Sequence, residues 1–238
     1  MGALEQLRTR IFADGADLAA IVVLARNPLI RGFTTNPPLM RKAGVTDYPE
    51  FARRALEAVP DRPISFEVLA DEPVEMERQA RRIASWGENV YVKIPVTNTK
   101  GEGSYALVER LCRDGIQVNV TAVMTLEQVA EIARAVAGGA PCYVSVFAGR
   151  IADTGRDPVP LMTRALELLH PCPQAELLWA SPREVLNLLQ ADAIGCPIIT
   201  VTGDLLTKLG LVGKPLEEYS LETVRMFFED ARAAGYRL

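Results

Sequence analysis

Val90-Tyr91-Val92-Lys93-Ile94-Pro95 is a run of strand-forming residues interrupted by one lysine. Its period-two alternation puts Val90, Val92 and Ile94 on one face and turns Lys93 the other way. The same pattern recurs along the chain. In Val118-Asn119-Val120-Thr121 the valines alternate with Asn119 and Thr121, and in Tyr143-Val144-Ser145-Val146-Phe147 two valines alternate with Ser145 and Phe147. In Ile64-Ser65-Phe66-Glu67-Val68, Glu67 lies opposite Phe66 and Val68. Strands with one wholly apolar face and a few polar intrusions on the other belong to a parallel sheet covered by helices.

Working outward, strands are expected at 10–13, 32–35, 63–68, 90–95, 117–123, 142–147, 177–180 and 198–201. Helical patterns fill the intervals, at 73–85, 102–113, 126–136, 158–169 and 182–189. Thr125 before Leu-Glu-Gln reads as an N-cap, and Asp157 precedes a proline at a helix start. Eight strand–helix units in 238 residues are the count of a (β/α)8 TIM barrel, an α/β fold. Residues 1–238 are therefore expected to form one domain, with an amphipathic helix at 221–234 beyond the eighth unit, placed to cover a neighbouring subunit. An open doubly wound sheet is the competing architecture, but no G-x-G-x-x-G follows the first strand.

Composition narrows the function classes. Thirty acidic against twenty-six basic residues give a net charge of −4, no electrostatic case for nucleic acid or an anionic membrane. No run of eighteen apolar residues occurs, and acidic residues Glu5, Asp14 and Asp17 flank the first apolar run, unlike a signal peptide. Cys112, Cys142, Cys172 and Cys196 include no C-x-x-C and there is one histidine, so structural zinc and a disulfide framework are not expected. The cysteines read as packing residues in a cytoplasmic protein, and His170 as a helix C-terminal residue without chemistry.

In such a barrel, the polar strand residues Lys93, Asn119, Thr121, Ser145 and Glu67 face the lumen. Each falls late in its strand, toward the carboxyl rim where barrel active sites form, and Asp14 and Asn36 follow strands one and two at the same rim. Lys93 is singular because the other four of five lysines lie in loop-like or helical segments. Desolvation disfavours an ammonium ion, and a neutral amine is what Schiff-base formation with a carbonyl requires. The bland alternative is an ion pair of Lys93 with Glu67 or Asp14 and no chemistry.

The sequence resembles the transaldolase family, including its short forms and the related fructose-6-phosphate aldolases. The matching segments are Phe12-Ala13-Asp14-Gly15-Ala16-Asp17, Gly32-Phe33-Thr34-Thr35-Asn36-Pro37-Pro38-Leu39, Ser65-Phe66-Glu67-Val68, Val92-Lys93-Ile94-Pro95-Val96-Thr97, Asn119-Val120-Thr121, Tyr143-Val144-Ser145-Val146-Phe147-Ala148-Gly149-Arg150 and Ala180-Ser181-Pro182-Arg183. They run in the family's order. The combination of T-T-N-P, V-K-I-P-V-T and S-x-F-x-G-R is specific, though no single one is.

The resemblance implies a Schiff-base (β/α)8 barrel needing no metal or cofactor and acting on sugar phosphates. It implies that Lys93 would bond the C2 ketone of a ketose phosphate and that Asp14 would take and return the C4 hydroxyl proton. Glu67 with Thr121 would position the water of carbinolamine chemistry. Asn36, Asn119 and Ser145 would hold the hydroxyls of the dihydroxyacetone unit, and Arg150, Ser181 and Arg183 would grip the phosphate. Arginine forks and a helix N-terminus after strand seven suit a phosphate dianion. The habits of short family members imply a homo-oligomer, a dimer or a decamer.

Each residue also has an ordinary reading. Asp14 and Asp17 fit N-terminal charges of a helix at 18–25, and Thr35-Asn36-Pro37 fits a helix-start turn. Ser181 before Pro182 fits an N-cap, Arg183 a solvated first-turn residue, and Arg150 a surface partner of Asp153. Three departures from the family stand out: Gly15 where threonine is frequent, Pro182 where an aromatic is usual, and Val146 where proline is common.

Transaldolase is the leading function, moving a dihydroxyacetone unit between sugar phosphates in the pentose phosphate route or to an unusual acceptor in a specialised pathway. An aldolase releasing free dihydroxyacetone is the alternative. Aldolase-type members tend to carry glutamine where this chain has Glu67 and tyrosine where it has Phe147, so both positions favour transfer. A silent sugar-phosphate-binding protein would lack the nucleophile or base, and Lys93, Asp14 and Glu67 are all present.

Overall fold

The structure, a computed structural model, describes residues 3–237. Its elements run β1 (Arg10–Asp14), α1 (Leu18–Leu24), β2 (Ile30–Thr34), α2 (Pro37–Lys42), α3 (Tyr48–Ala58), β3 (Ile64–Glu67), α4 (Pro73–Ala84), β4 (Val90–Pro95), α5 (Tyr105–Arg113) and β5 (Val118–Val123). They continue with α6 (Leu126–Val136), β6 (Cys142–Val146), α7 (Ala148–Asp153), α8 (Val159–Leu169), β7 (Ala175–Trp179), α9 (Leu186–Ala193), β8 (Ile198–Thr202), α10 (Gly203–Thr207) and α11 (Leu216–Ala233). The eight strands pair in parallel, in sequence order, and β8 closes on β1. This is the expected (β/α)8 barrel with an additional C-terminal helix.

Local chemistry starts the helices where the rim needs them. Asp17 caps α1 by accepting the Ala20 N–H at 3.0 Å, and Asn36 caps α2 through Leu39 N–H at 3.0 Å. Thr125 and Gln128 form a reciprocal capping box at α6, and Asp157 accepts from Val159 N at 2.9 Å at the start of α8. The outward strand faces, with Val92, Ile94, Val118, Val120, Val144 and Val146, pack under Leu107, Leu111 and Ile132 of the helices. Full burial of such a side chain contributes about 1.5–3 kcal/mol. The four cysteines are free thiols buried in this packing, and burial pushes Cys112 up to about 11 and Cys196 up to about 12.

The lumen is stratified. At its amino-terminal end Arg10 pairs with Glu176. Above them Phe12, Tyr91, Tyr143, Leu178 and Ile198 form a second buried cluster. The Tyr91 and Tyr143 rings stack with centroids 3.9 Å apart, and Phe12 meets Tyr143 edge-on at 5.6 Å. This aromatic floor closes the barrel below the polar residues of the strand ends.

The helix expected at 102–113 begins at Tyr105, and two further helix starts differ more from expectation. The helix expected at 182–189 begins only at Leu186, because Ser181 adopts φ +61° and the chain stays irregular through Val185. The last helix starts at Leu216 rather than 221, led by Pro215 with Glu217 and Glu218 in its first turn, a favourable pairing with the helix dipole. No residue of α11 is buried, and Leu216, Val224, Phe227 and Phe228 are 50% or more exposed.

Gly32 pairs in register with Phe12, and a Cβ there would lie 2.6 Å from the Phe12 ring. The ring is fully buried against Tyr143 and has no room to move. Gly32→Ala is therefore expected to destabilise the barrel by about 1–3 kcal/mol, read as a lower urea midpoint at unchanged slope. An unchanged midpoint would show that the floor is loosely packed.

Candidate active site

Above the aromatic floor, a cavity of about 320 Å³ opens at the carboxyl ends of the strands. Period two in each strand brings a side chain to it from around the barrel. Asp14 comes from β1, Thr34 from β2, Glu67 from β3, Lys93 from β4, Thr121 from β5, Ser145 from β6 and Thr200 from β8. Asn36, Phe147, Arg150, Ser181 and Arg183 complete the rim. Every candidate residue except Asn119 lines this cavity. Asn119 is fully buried one contact away, donating to Ser65 Oγ at 3.0 Å and accepting from Ser145 Oγ at 2.7 Å.

Lys93 is only 6% exposed, and its ammonium has two acceptors. Nζ lies 3.2 Å from Glu67 Oε2 and donates to the Thr35 carbonyl at 3.0 Å. The register Glu67↔Lys93 between β3 and β4 imposes this pairing. The partner is thus Glu67, one of the two weighed from sequence. A carboxylate at that distance also stands where it can accept the amine's proton.

Asp14 accepts a hydrogen bond from Thr34 Oγ1 at 2.7 Å. Desolvation raises its pKa, and the charge of Lys93 and the Thr34 hydrogen bond oppose the rise. Asp14 does not cap α1, a role taken by Asp17, so its carboxylate is left to the cavity. Asn36 does cap α2 through its oxygen, and it also lines the cavity.

Among the described residues, two non-glycine positions have φ near +61°, Ala122 and Ser181, and both line this cavity. Such conformations cost of order 1–3 kcal/mol and cluster at functional sites. Ala122 sits at the irregular register of β5 and β6, directly after Thr121. The Thr121 hydroxyl is buried with no hydrogen-bond partner among the described residues. On the far rim, Gly149 is pressed against the Ser181 carbonyl, and a Cβ on it would lie 1.6 Å from that oxygen.

The arginine rim corrects two expectations. Ser181 is not an N-cap: α9 starts five residues later, and no side chain caps it. The helix N-terminus expected beside a phosphate is therefore absent from that position. Asp153 pairs with Arg183, not Arg150, through Nε at 2.9 Å and a second bond from Nη2. Arg150 instead lies with its guanidinium carbon 6.0 Å from the Phe147 ring centre. His170 is the C-cap of α8, away from the cavity.

Thr34, Thr200 and Thr202 also line the cavity and were not singled out from sequence. Their signal was available: in Ile198-Ile199-Thr200-Val201-Thr202, two threonines alternate with apolar residues as in the other strands.

The transaldolase/fructose-6-phosphate aldolase family model matches residues 11–238. The chain belongs to this family. Curated relatives of the family include a "Probable transaldolase" of Dehalococcoides mccartyi, 34% identical over 193 residues, covering 81% of this chain and 86% of the relative. Another from Thermoanaerobacter sp. is 34% identical over 230 residues, covering 96% of this chain and all of the relative. "Probable transaldolase 2" of Listeria monocytogenes is 35% identical, covering 90% and 93%. Among solved structures, a "putative phosphonomutase" from Burkholderia cenocepacia superposes with a TM-score of 0.55 at 14% identity over 98% of this chain and 96% of that one, a likeness of fold. Membership in the transaldolase/fructose-6-phosphate aldolase family implies an enzyme of transaldolase or aldolase type. No helix is long and apolar enough to cross a membrane among the described residues.

The raised pKa of Asp14 has a stability consequence. A carboxyl held above its ordinary 3.8 binds its proton more tightly when folded, so its favourable contribution is complete below 3.8 and is lost as pH rises through the folded value. Asp14→Asn keeps the shape and removes the desolvated charge. The variant is expected to be more stable than wild type at pH 7, with the gain vanishing near pH 3, by urea unfolding at both pH values. A gain independent of pH would refute the electrostatic origin.

Proposed function

We propose that this protein is a transaldolase. On this reading it transfers a dihydroxyacetone unit from a ketose phosphate, fructose 6-phosphate or sedoheptulose 7-phosphate, to an aldose phosphate. The observation that carries the proposal is Lys93, a buried lysine in the barrel lumen with Glu67 at 3.2 Å and Asp14 on the same cavity.

The chemistry follows from those positions. The amine of Lys93, relieved of a proton through Glu67, adds to the C2 carbonyl. Water leaves the carbinolamine to give an iminium, with Glu67 and the Thr121 hydroxyl holding that water. Asp14 takes the proton of the C4 hydroxyl as the C3–C4 bond breaks. The bonding electrons flow into the iminium, so an aldehyde departs and a neutral enamine stays on Lys93. An acceptor aldehyde then bonds to the enamine carbon, Asp14 returns its proton to the new hydroxyl, and water hydrolyses the iminium. A positioned carboxylate contributes about 10²–10⁴-fold to such a step. Asn36, Asn119 and Ser145 hold the hydroxyls of the three-carbon unit, with Arg150, Ser181 and Arg183 at the phosphate.

Transfer is favoured over release by Glu67 and Phe147. The Phe147 ring offers no acidic hydrogen to the enamine, which leaves it waiting for an aldehyde. A cytoplasmic place in the pentose phosphate route goes with this activity, and residues 1–238 act as one domain.

Borohydride reduction after incubation with fructose 6-phosphate is expected to leave a dihydroxyacetone- or hexose-derived adduct on Lys93 by mass spectrometry. Lys93→Met is expected to lack it. Aldose phosphates added before reduction should discharge the adduct, and the effective ones identify the acceptor. Free dihydroxyacetone without an acceptor would favour the aldolase activity, and absence of adduct with several ketose phosphates would refute the proposal.

The same reading includes a homo-oligomer, a dimer or a decamer, held through α11. Its Leu216, Val224, Met226, Phe227 and Phe228 are all at least half exposed, an apolar surface of the kind that marks an interface. A second copy of the chain is the proposed cover. Wild type is expected to sediment well above the 26.0 kDa of one chain, with Phe227→Glu/Phe228→Glu shifting it toward the monomer. A monomeric wild type would overturn this assembly.

A further inference from the structure

Asp14 is held by a threonine that is itself held by another threonine. Thr34 Oγ1 donates to Asp14 Oδ1 at 2.7 Å and lies 2.5 Å from Thr200 Oγ1. Both threonines are buried, at 2% and 5% exposure, and both line the active-site cavity. A threonine hydroxyl has one hydrogen to donate. Thr34 gives its hydrogen to Asp14, so the hydrogen between the two threonines belongs to Thr200. The chain therefore runs one way, from Thr200 O–H to Thr34 O–H to the Asp14 carboxylate.

The barrel fixes this order. Thr34 and Thr200 come from β2 and β8, the strands on either side of β1. Thr34 is in register with Asp14, and Thr200 is in register with Phe12, one lumen level below. The floor beneath is packed with the apolar side chains of Phe12 and Ile198, so on that side neither hydroxyl meets another polar group. Asp14 Oδ1 is occupied by Thr34, and Oδ2 has no hydrogen bond among the described residues.

We infer that Thr200 is a positioning residue of the reaction: through Thr34 it holds Asp14 ionised, with Oδ2 presented to the substrate hydroxyl. Two aligned O–H dipoles point at the carboxylate, and each hydrogen bond in such a chain polarises the next by 10–30%. This opposes the desolvation that otherwise favours the protonated acid, which cannot take the C4 proton. The other charged groups on Asp14's cavity are Lys93 of β4 and Glu67 of β3, with Arg150 of α7 and Arg183 after β7 on the far rim. On its other side stand Asp17, Lys42 and Asp204, at the start of α1, the end of α2 and in α10. None of them touches Thr200 through a hydrogen bond.

The inference rests on the Schiff-base reading, and its test separates the two. Thr200→Val keeps the shape and removes the donor, and Thr200→Ser restores it. Samples of all three proteins are trapped with borohydride and fructose 6-phosphate, and with untreated enzyme kcat/KM for fructose 6-phosphate is followed against pH in the presence of a saturating aldose phosphate that discharges the adduct. Titration of the substrate phosphate is common to all three and cancels in the comparison. The expected result is an adduct on Lys93 in every protein, with the acid limb of Thr200→Val moved up by about half a pH unit. Its kcat/KM on that limb is then about threefold lower than wild type, while Thr200→Ser follows wild type. Adducts in all three with superimposable acid limbs, or Thr200→Ser behaving as Thr200→Val, would overturn the positioning role alone. A wild type that forms no adduct would overturn the Schiff-base reading and this inference with it.

Discussion

A lysine ammonium inside a barrel is tolerable only where the protein replaces its water, and the lumen of this protein is built around that requirement. Lys93 has a carboxylate at 3.2 Å and a backbone carbonyl at 3.0 Å. A buried pair of this kind adds little net stability, because desolvation of both ions offsets their attraction, whereas removing either partner alone is strongly destabilising. Its position follows from strand register, since Glu67 and Lys93 face each other across β3 and β4. The polar level it occupies lies between the open rim and an aromatic floor of Phe12, Tyr91 and Tyr143, and its charged groups line the cavity above that packing.

That stratification explains what was legible in the sequence. Strands covered by helices show one unbroken apolar face, so any polar residue on the opposite face stands out against valines and isoleucines. Lys93, Asn119, Ser145 and Glu67 were visible for this reason, and the barrel with them. Thr121 shares its strand face with Asn119 and was visible beside it, whereas the faces of Thr34 and Thr200 carry no amide or charged residue, and a β-branched side chain at home in any strand gives little contrast alone. The loop after β7 was opaque for a different reason. Ser-Pro is an ordinary helix start, and nothing in its composition announces that Ser181 takes φ +61°. The partner of Asp153 is equally hidden in the sequence. Arg150 is three residues away in sequence, but α7 and the β7 loop bring Arg183 to the carboxylate from thirty residues away.

The two sides of the cavity differ in how they are held. Around Asp14, Glu67 and Lys93, hydrogen bonds arise between neighbouring strands of a closed sheet, whose geometry is among the most rigid in the fold. On the far rim, Arg150 sits in the short helix α7 after β6, while Ser181 and Arg183 follow β7 on irregular chain, and the two segments are locked by contact. Gly149 admits the Ser181 carbonyl so closely that any side chain at 149 would displace it. A proton-transfer group must be placed within a fraction of an ångström, while an anion anchor needs charge and donors more than exact placement. The division of labour proposed here matches that division of rigidity.

Pro182 sharpens the consequence for the phosphate side. Proline contributes no N–H, so the segment Ser181-Pro182-Arg183 offers one fewer backbone donor than the same segment with an aromatic residue at 182. With α9 starting only at Leu186, no helix N-terminus compensates at Ser181. Anchoring of a phosphate on this rim then falls to side chains, and one of them, Arg183, already spends two donors on Asp153. A dianion arriving there must share that guanidinium or displace the aspartate, whereas Arg150 has no ion pair among the described residues to give up. On the proposed reading, Arg150 is the first arginine to meet the substrate, and the Asp153–Arg183 pair sets how strongly the second one follows.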